Sequence, residues 1–247
     1  MKGKVILSMI SPWMAKLIGY LPKRCISYIS NKILFGYLEK YADIKVEGIE
    51  NLNNVKKPAI FICNHLSNSD ALVLGSVLKS ENLTFVAGAK LNQNPLTQLG
   101  MSMTKTITIK PNSADKEAIS KIVKTLKAGE SILIFPEGTR SRTGAMGKAR
   151  KGVVLIQKLT RASIVPIGIY GTEKLLPISG KDMALEDFYH AKVYVNIGRQ
   201  VDIPLREKGE NKHDYEDRTA DFFMFKISEL LPKRYRGVYS LNEGDEI

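Results

Sequence analysis

Residues 59–70 read Ala-Ile-Phe-Ile-Cys-Asn-His-Leu-Ser-Asn-Ser-Asp. The first five are apolar without interruption, and a mostly polar stretch follows. A short apolar run that ends at turn-forming residues predicts a strand buried on both faces. Asp70 then opens a helical pattern, so the stretch is a strand, a turn and a helix start. Repeated along a chain, that unit builds a largely parallel sheet with helices on its faces.

The alternation does repeat. Further strands are predicted over 84–87, 106–109, 131–135, 164–169 and 192–197, and helices over 70–79, 95–103, 115–127, 150–160 and 214–230. Ser113 is placed to cap the third helix, with Lys116 and Glu117 in its first turn and Gly129 just past its end. Residues 206–217 are polar and mixed in charge, as in a surface connection. The expected fold is α/β: a largely parallel central sheet flanked by helices over residues 43–247, preceded by a separate unit over 1–42.

The chain has 247 residues, of which 44% are hydrophobic and 25% charged, enough to bury a core without staples. Its two cysteines (Cys25, Cys63) and three histidines (His65, His190, His213) do not cluster at zinc-binding spacings. Two cysteines are also too few for a disulfide framework, and no metal is expected. The formal net charge is +12, with residues 1–40 contributing +6, residues 206–247 −2 and the middle +8. A basic chain points to anionic partners: a membrane surface, with nucleic acid as the competitor.

The N-terminal charge accompanies apolar sequence. Residues 5–21 are mostly apolar but interrupted by Pro12 and Lys16, and 17 residues fall short of the about 20 a span needs. No small-residue cleavage site follows Leu21; Pro22-Lys23-Arg24 comes next. Residues 26–41 mix Ile29, Ile33, Phe35 and Leu38 with Lys32, Glu39 and Lys40. Two amphipathic helices broken near Pro22 are expected to lie in the plane of an anionic membrane, a monotopic anchor. Trp13, Tyr20 and Tyr28 would sit at headgroup level. A helical hairpin packed on the protein's own core is the alternative.

Candidate chemistry gathers after two of the strands. Open α/β sheets bind ligands beyond the carboxyl ends of their strands. His65 and Asp70 stand there, in the turn and at the helix start. On one continuous helix, five positions would turn them about 140° apart, whereas a turn followed by a cap folds them together. A carboxylate beside an imidazole fixes its tautomer and prepares it to take a proton from a hydroxyl. Ser67, Asn68 or Ser69 could cap that helix. The strand at 131–135 ends in Pro136-Glu137-Gly138-Thr139-Arg140-Ser141-Arg142, a turn presenting backbone N–H groups and a guanidinium. Arg140 can hold a phosphate through two parallel hydrogen bonds.

Asn64-His65-(four residues)-Asp70 followed by Phe135-Pro136-Glu137-Gly138-Thr139-Arg140-Ser141 resembles the phospholipid/glycerol acyltransferases, most closely the bacterial lysophosphatidate acyltransferases. Either half is weak alone; both in order on strand ends are specific. The segment ending at Lys110 and the run Ile164-Val165-Pro166-Ile167 are similar to two further blocks of that family. The resemblance implies His65 as general base and Asp70 as its charge partner. It implies Arg140 at the substrate phosphate, within a turn shaped by Glu137, Gly138 and Thr139. Val165 and Pro166 would form part of a wall beside the acyl chain. Lys110 stands where the family usually has an arginine, and supplies charge without a bidentate fork. Lys105 joins the expected phosphate-binding set, with Lys90 and Lys151 nearby. Backbone N–H groups near Gly138 would stabilise the oxyanion.

The implied reaction moves a fatty acyl group from acyl-CoA or acyl carrier protein, a co-substrate rather than a bound cofactor, to the 2-hydroxyl of lysophosphatidate. The implied place is the cytoplasmic face of the cell membrane. Ser67 and Ser69 keep an acyl-enzyme route open. Other readings give another acceptor, such as glycerol-3-phosphate or another lysolipid, or a non-enzymatic basic protein that binds membranes or anions. No G-x-S-x-G elbow is present, Gly147-Lys148 continues as Ala149 rather than a phosphate loop, and no nucleic-acid-binding signature occurs.

Overall fold

The computed structural model describes residues 23–88, 105–110, 115–178 and 187–240. In chain order the main elements are α1 (Lys23–Tyr41), β1 (Ala42–Glu47), β2 (Ala59–Cys63), α2 (Asp70–Val77), β3 (Thr84–Gly88), β4 (Lys105–Ile109) and α3 (Lys116–Lys127). There follow β5 (Ile132–Ile134), α4 (Gly152–Thr160), β6 (Ser163–Tyr170), α5 (Thr172–Leu175), β7 (Ala191–Ile197) and α6 (Lys212–Ser228). The seven strands form one sheet in the order β1-β7-β6-β2-β5-β3-β4. Every pairing is parallel except β6 with β7.

β2 lies in the middle of the sheet, and its side chains alternate between two cores. Ile60 and Ile62 join Ile122 and Leu126 of α3, Val153 and Ile156 of α4, and Phe223 and Ile227 of α6. Ala59, Phe61 and Cys63 join Leu38 of α1 and Val73 and Leu74 of α2 on the opposite face. Both faces are covered, which is why this strand reads as an unbroken apolar run.

Several elements differ from the sequence expectation. β1 was not predicted, although Ala42, Ile44 and Val46 alternate with Asp43, Lys45 and Glu47; it is a mostly exposed edge strand. The third helix is capped by Asp115, whose Oδ1 accepts the Ala118 N–H at 3.0 Å; Ser113 and the helix predicted over 95–103 lie outside the described residues. The segment before Pro22 also lies outside them. α1 does form, and its last turns are bound to the body: Leu38 is buried, and Tyr37 and Tyr41 stack on Phe188. Among the described residues no helix is long and apolar enough to cross a membrane.

Candidate active site

β2 and β5 are hydrogen-bonded neighbours running the same way, so their carboxyl ends deliver the two motifs to one place. The chain leaves β2 at Asn64-His65, and it leaves β5 at Phe135-Pro136-Glu137. His65 lies in the turn and Asp70 begins α2, which removes the rotation a continuous helix would impose. Asp70 Oδ2 sits 2.7 Å from His65 Nδ1, and the same oxygen accepts the N–H groups of Leu66 at 2.7 Å and Ser67 at 2.9 Å. An ionised carboxylate only accepts, so Nδ1 carries the proton and Nε2 presents its lone pair. Asp70 is fully buried, while the imidazole keeps 19% of its surface exposed. The ring can therefore take a proton at Nε2 from a group arriving from outside.

The FPEGTR-type turn braces this histidine. Glu137, 5% exposed, accepts the His65 N–H through Oε1 at 3.0 Å and the Gly147 N–H through Oε2 at 2.8 Å. Burial pushes its carboxyl above the usual 4.5, against those two donated hydrogen bonds. The Ser141 N–H donates to the His65 carbonyl at 2.8 Å, which ties the loop just after Arg140 to the histidine. Phe135 stacks on the imidazole with ring centroids 4.1 Å apart. Gly138 has φ +68°, and a Cβ there would lie 2.6 Å from Arg150 Nε, whose N–H donates to the Glu137 carbonyl at 3.2 Å. Thr139 is exposed on the same rim. Neither Phe135, quoted only as the start of the motif, nor Arg150 was given a role at the site from sequence; an aromatic before a Pro-Glu-Gly turn is the signal that marks the first.

Other expected residues are placed differently. The Gly138 N–H donates to the Phe135 carbonyl at 3.0 Å and is taken up by the turn, so it is not offered to an oxyanion. Lys110 follows β4 on the same sheet edge as His65, but three strands away, about 14 Å at the usual strand spacing. Lys105 begins β4 at the opposite end, about 13 Å below Ile109, and its ammonium pairs with Glu130 at 2.8 Å. The structure does not bring it to the cluster. Lys151 pairs with Asp217 at 2.7 Å, and Lys90 lies outside the described residues.

Val165 is fully buried, and Pro166 is covered by Gly198, whose N–H donates to its carbonyl at 2.9 Å. Both lie inside a central strand packed on both faces and line no open wall. Ser67 and Ser69 are also buried: the Ser67 hydroxyl donates to the Leu176 carbonyl at 2.7 Å, and the two hydroxyls lie 3.0 Å apart. Neither caps α2.

The chain is 34% identical over 161 residues to the chloroplastic 1-acyl-sn-glycerol-3-phosphate acyltransferase of Arabidopsis thaliana, covering 64% of this chain and 43% of that protein. It is 31% identical over 180 residues to the 1-acyl-sn-glycerol-3-phosphate acyltransferase of Saccharomyces cerevisiae, 70% of this chain and 56% of the other. It spans about half the length of the curated relatives it matches. The crystal structure of the 1-acyl-sn-glycerophosphate acyltransferase from Thermotoga maritima superposes with a TM-score of 0.56 over 87% of this chain and 82% of that one. At 22% identity it speaks to the fold alone. The family model described as Acyltransferase matches residues 43–170, more than half of the chain, running from the second residue of β1 through both motif turns to the end of β6, so the chain belongs to the Acyltransferase family.

Proposed function

We propose that this protein transfers a fatty acyl group from a thioester to the 2-hydroxyl of 1-acyl-glycerol-3-phosphate, lysophosphatidate, giving phosphatidate. The observation that carries the reading is the His65–Asp70 pair: one buried carboxylate oxygen holds Nδ1–H at 2.7 Å and leaves Nε2 as the acceptor. Nε2 takes the hydroxyl proton as that oxygen attacks the thioester carbonyl. The ester C–O bond forms, the C–S bond breaks, and the proton passes from Nε2 to the departing thiolate. Asp70 offsets the charge of the transient imidazolium. Transfer is direct, in keeping with the buried, hydrogen-bonded hydroxyls of Ser67 and Ser69.

Arg140, on the loop tied to the His65 carbonyl, holds the acceptor phosphate, and Lys110 adds charge from the same sheet edge. The named activity of the relatives supports this acceptor. The donor is acyl-CoA or acyl carrier protein; a net charge of +12 suits the phosphates of one and the acidic surface of the other. Residues 1–42 lie on the anionic, cytoplasmic face of the cell membrane, the surface favoured by a segment rich in both bases and apolar residues.

The test uses detergent-solubilised protein with oleoyl lysophosphatidate and either donor, alongside His65→Ala. Phosphatidate formed by the parent and lost in the variant is the expected result. Parental turnover in His65→Ala would overturn the mechanism. Turnover only with another acceptor would replace the substrate.

A further inference from the structure

The loop that carries Glu137 and Arg140 is gripped from outside by the end of the described chain. After α6 come two short helical turns, Lys233–Tyr235 and Gly237–Tyr239. The Tyr235 carbonyl accepts the Met146 N–H at 2.9 Å. The Tyr239 hydroxyl accepts the Ala149 N–H at 3.3 Å and donates to Asp221 of α6 at 2.9 Å. Gly237, at φ +55°, approaches so closely that a Cβ there would sit 2.1 Å from the Met146 carbonyl oxygen. The Tyr235 hydroxyl donates to Glu173 at 2.7 Å, and the other Glu173 oxygen accepts the Gly171 N–H at 2.8 Å, just beyond β6. Both tyrosines are buried.

From the gripped residues two threads run to His65. Gly147, next to Met146, donates its N–H to Glu137, which accepts the His65 N–H. Ala145, on the other side of Met146, donates its N–H to Ser141 Oγ at 3.1 Å and accepts from that hydroxyl at 2.6 Å. The Ser141 N–H in turn donates to the His65 carbonyl. The peptide groups on both sides of the histidine are thus held by one loop, and the loop is held by the strap.

We propose that residues 235–239 form a C-terminal strap in which Tyr235, Gly237 and Tyr239 are positioning residues for His65, acting through the loop at 141–149. The proposal rests on the reading of His65 as the base. A base works only within hydrogen-bond reach of its proton, and a displacement of about 1 Å from a distant change can cost about a hundredfold in rate. The strap holds the imidazole in place without touching substrate.

Tyr239→Phe removes the hydroxyl and keeps the ring edge-on to Phe225, at 5.2 Å. Gly237→Ala pushes the strap off Met146. For both variants we would measure kcat, KM for lysophosphatidate, the melting temperature, and hydrogen–deuterium exchange over residues 64–70, 137–149 and 191–197. The strap predicts a kcat lower by about tenfold to a hundredfold with KM within about twofold. It also predicts faster exchange over 64–70 and 137–149 and unchanged exchange over 191–197. Unchanged exchange over 64–70 in both variants overturns the proposal. So does faster exchange everywhere in step with a lower melting temperature. If the parent shows no transferase activity, the proposed function fails, and the exchange comparison still decides the strap.

Discussion

Asn64 and Ile169 exchange two hydrogen bonds, each of 2.8 Å: the Asn64 side-chain N–H donates to the Ile169 carbonyl, and its side-chain oxygen accepts the Ile169 N–H. The amide behaves as one more rung of the sheet, joining the end of β2 to β6 immediately before the turn that carries His65. Asn64 is fully buried, so neither group has water as a substitute. Asn64→Ala should cost about 2–4 kcal/mol, since it leaves a buried N–H and a buried carbonyl unpaired. Urea unfolding of the parent and the variant checks it.

Asp70→Asn should separate holding from charging. The asparagine oxygen can still accept the Leu66 and Ser67 N–H groups now made to Oδ2, so the fold should survive. The imidazolium loses its counter-charge, and kcat should fall by about 10²–10⁴-fold, the range of a general-base contribution. Steady-state turnover with a matched circular dichroism spectrum is the measurement. Parental turnover would show that the pair is structural.

Arg140→Ala and Lys105→Ala should part company. Loss of charge-assisted hydrogen bonds to a phosphate costs about 1.5–3 kcal/mol, so KM for the acceptor should rise by about tenfold to a hundredfold with Arg140→Ala. Lys105 is half exposed, paired with Glu130, and at the far end of its strand. Its removal should leave KM unchanged and stability within about 1 kcal/mol of the parent.

Gly138→Ala should cost about 1–2 kcal/mol for a left-handed backbone position, plus the displacement of Arg150, which a new Cβ would meet at 2.6 Å. In a Gly138→Ala, Arg150→Ala double variant that contact is gone. Its destabilisation should be less than the sum of the two single changes, and a double-mutant cycle in urea reads the difference.

Glu137 should give stability a pH signature. Burial raises its folded carboxyl above 4.5, so between that pH and its folded value the native chain keeps a proton that the unfolded chain has released. Native protein then binds more protons, and its stability falls as pH rises through that window. The melting temperature of the parent, relative to Glu137→Gln, should drop as pH increases from about 4.5 upward. A flat difference would show that the carboxyl ionises normally.

Local pattern made much of the protein legible. The unbroken apolar run at β2, the strand–turn–helix alternation and the two polar turns on strand ends depend on spacing within a few residues of each other. Chain order alone therefore led to an α/β sheet and to His65, Asp70 and Arg140 as the residues of interest. β1 escaped the sequence reading: its apolar and charged residues alternate, but its exposed edge position gives it no apolar run to stand out.

What the sequence could not supply is which strands lie side by side and which end of each meets the site. That is settled by long-range pairing. β2 beside β5 joins two motifs with His65 and Glu137 72 residues apart in the chain, while β4 carries Lys105 to the opposite end of the sheet. Val165 and Pro166 read as candidate wall residues, yet burial on both faces of β6 closes them inside the core. The proton on Nδ1, the ring of Phe135 against the imidazole, and the grip of Tyr235 and Tyr239 on the motif loop are likewise products of tertiary packing. Except for the His65–Asp70 contact, which the local turn already implied, each depends on a directional contact a few ångströms long between residues that the chain keeps apart, and only the folded geometry sets such a distance.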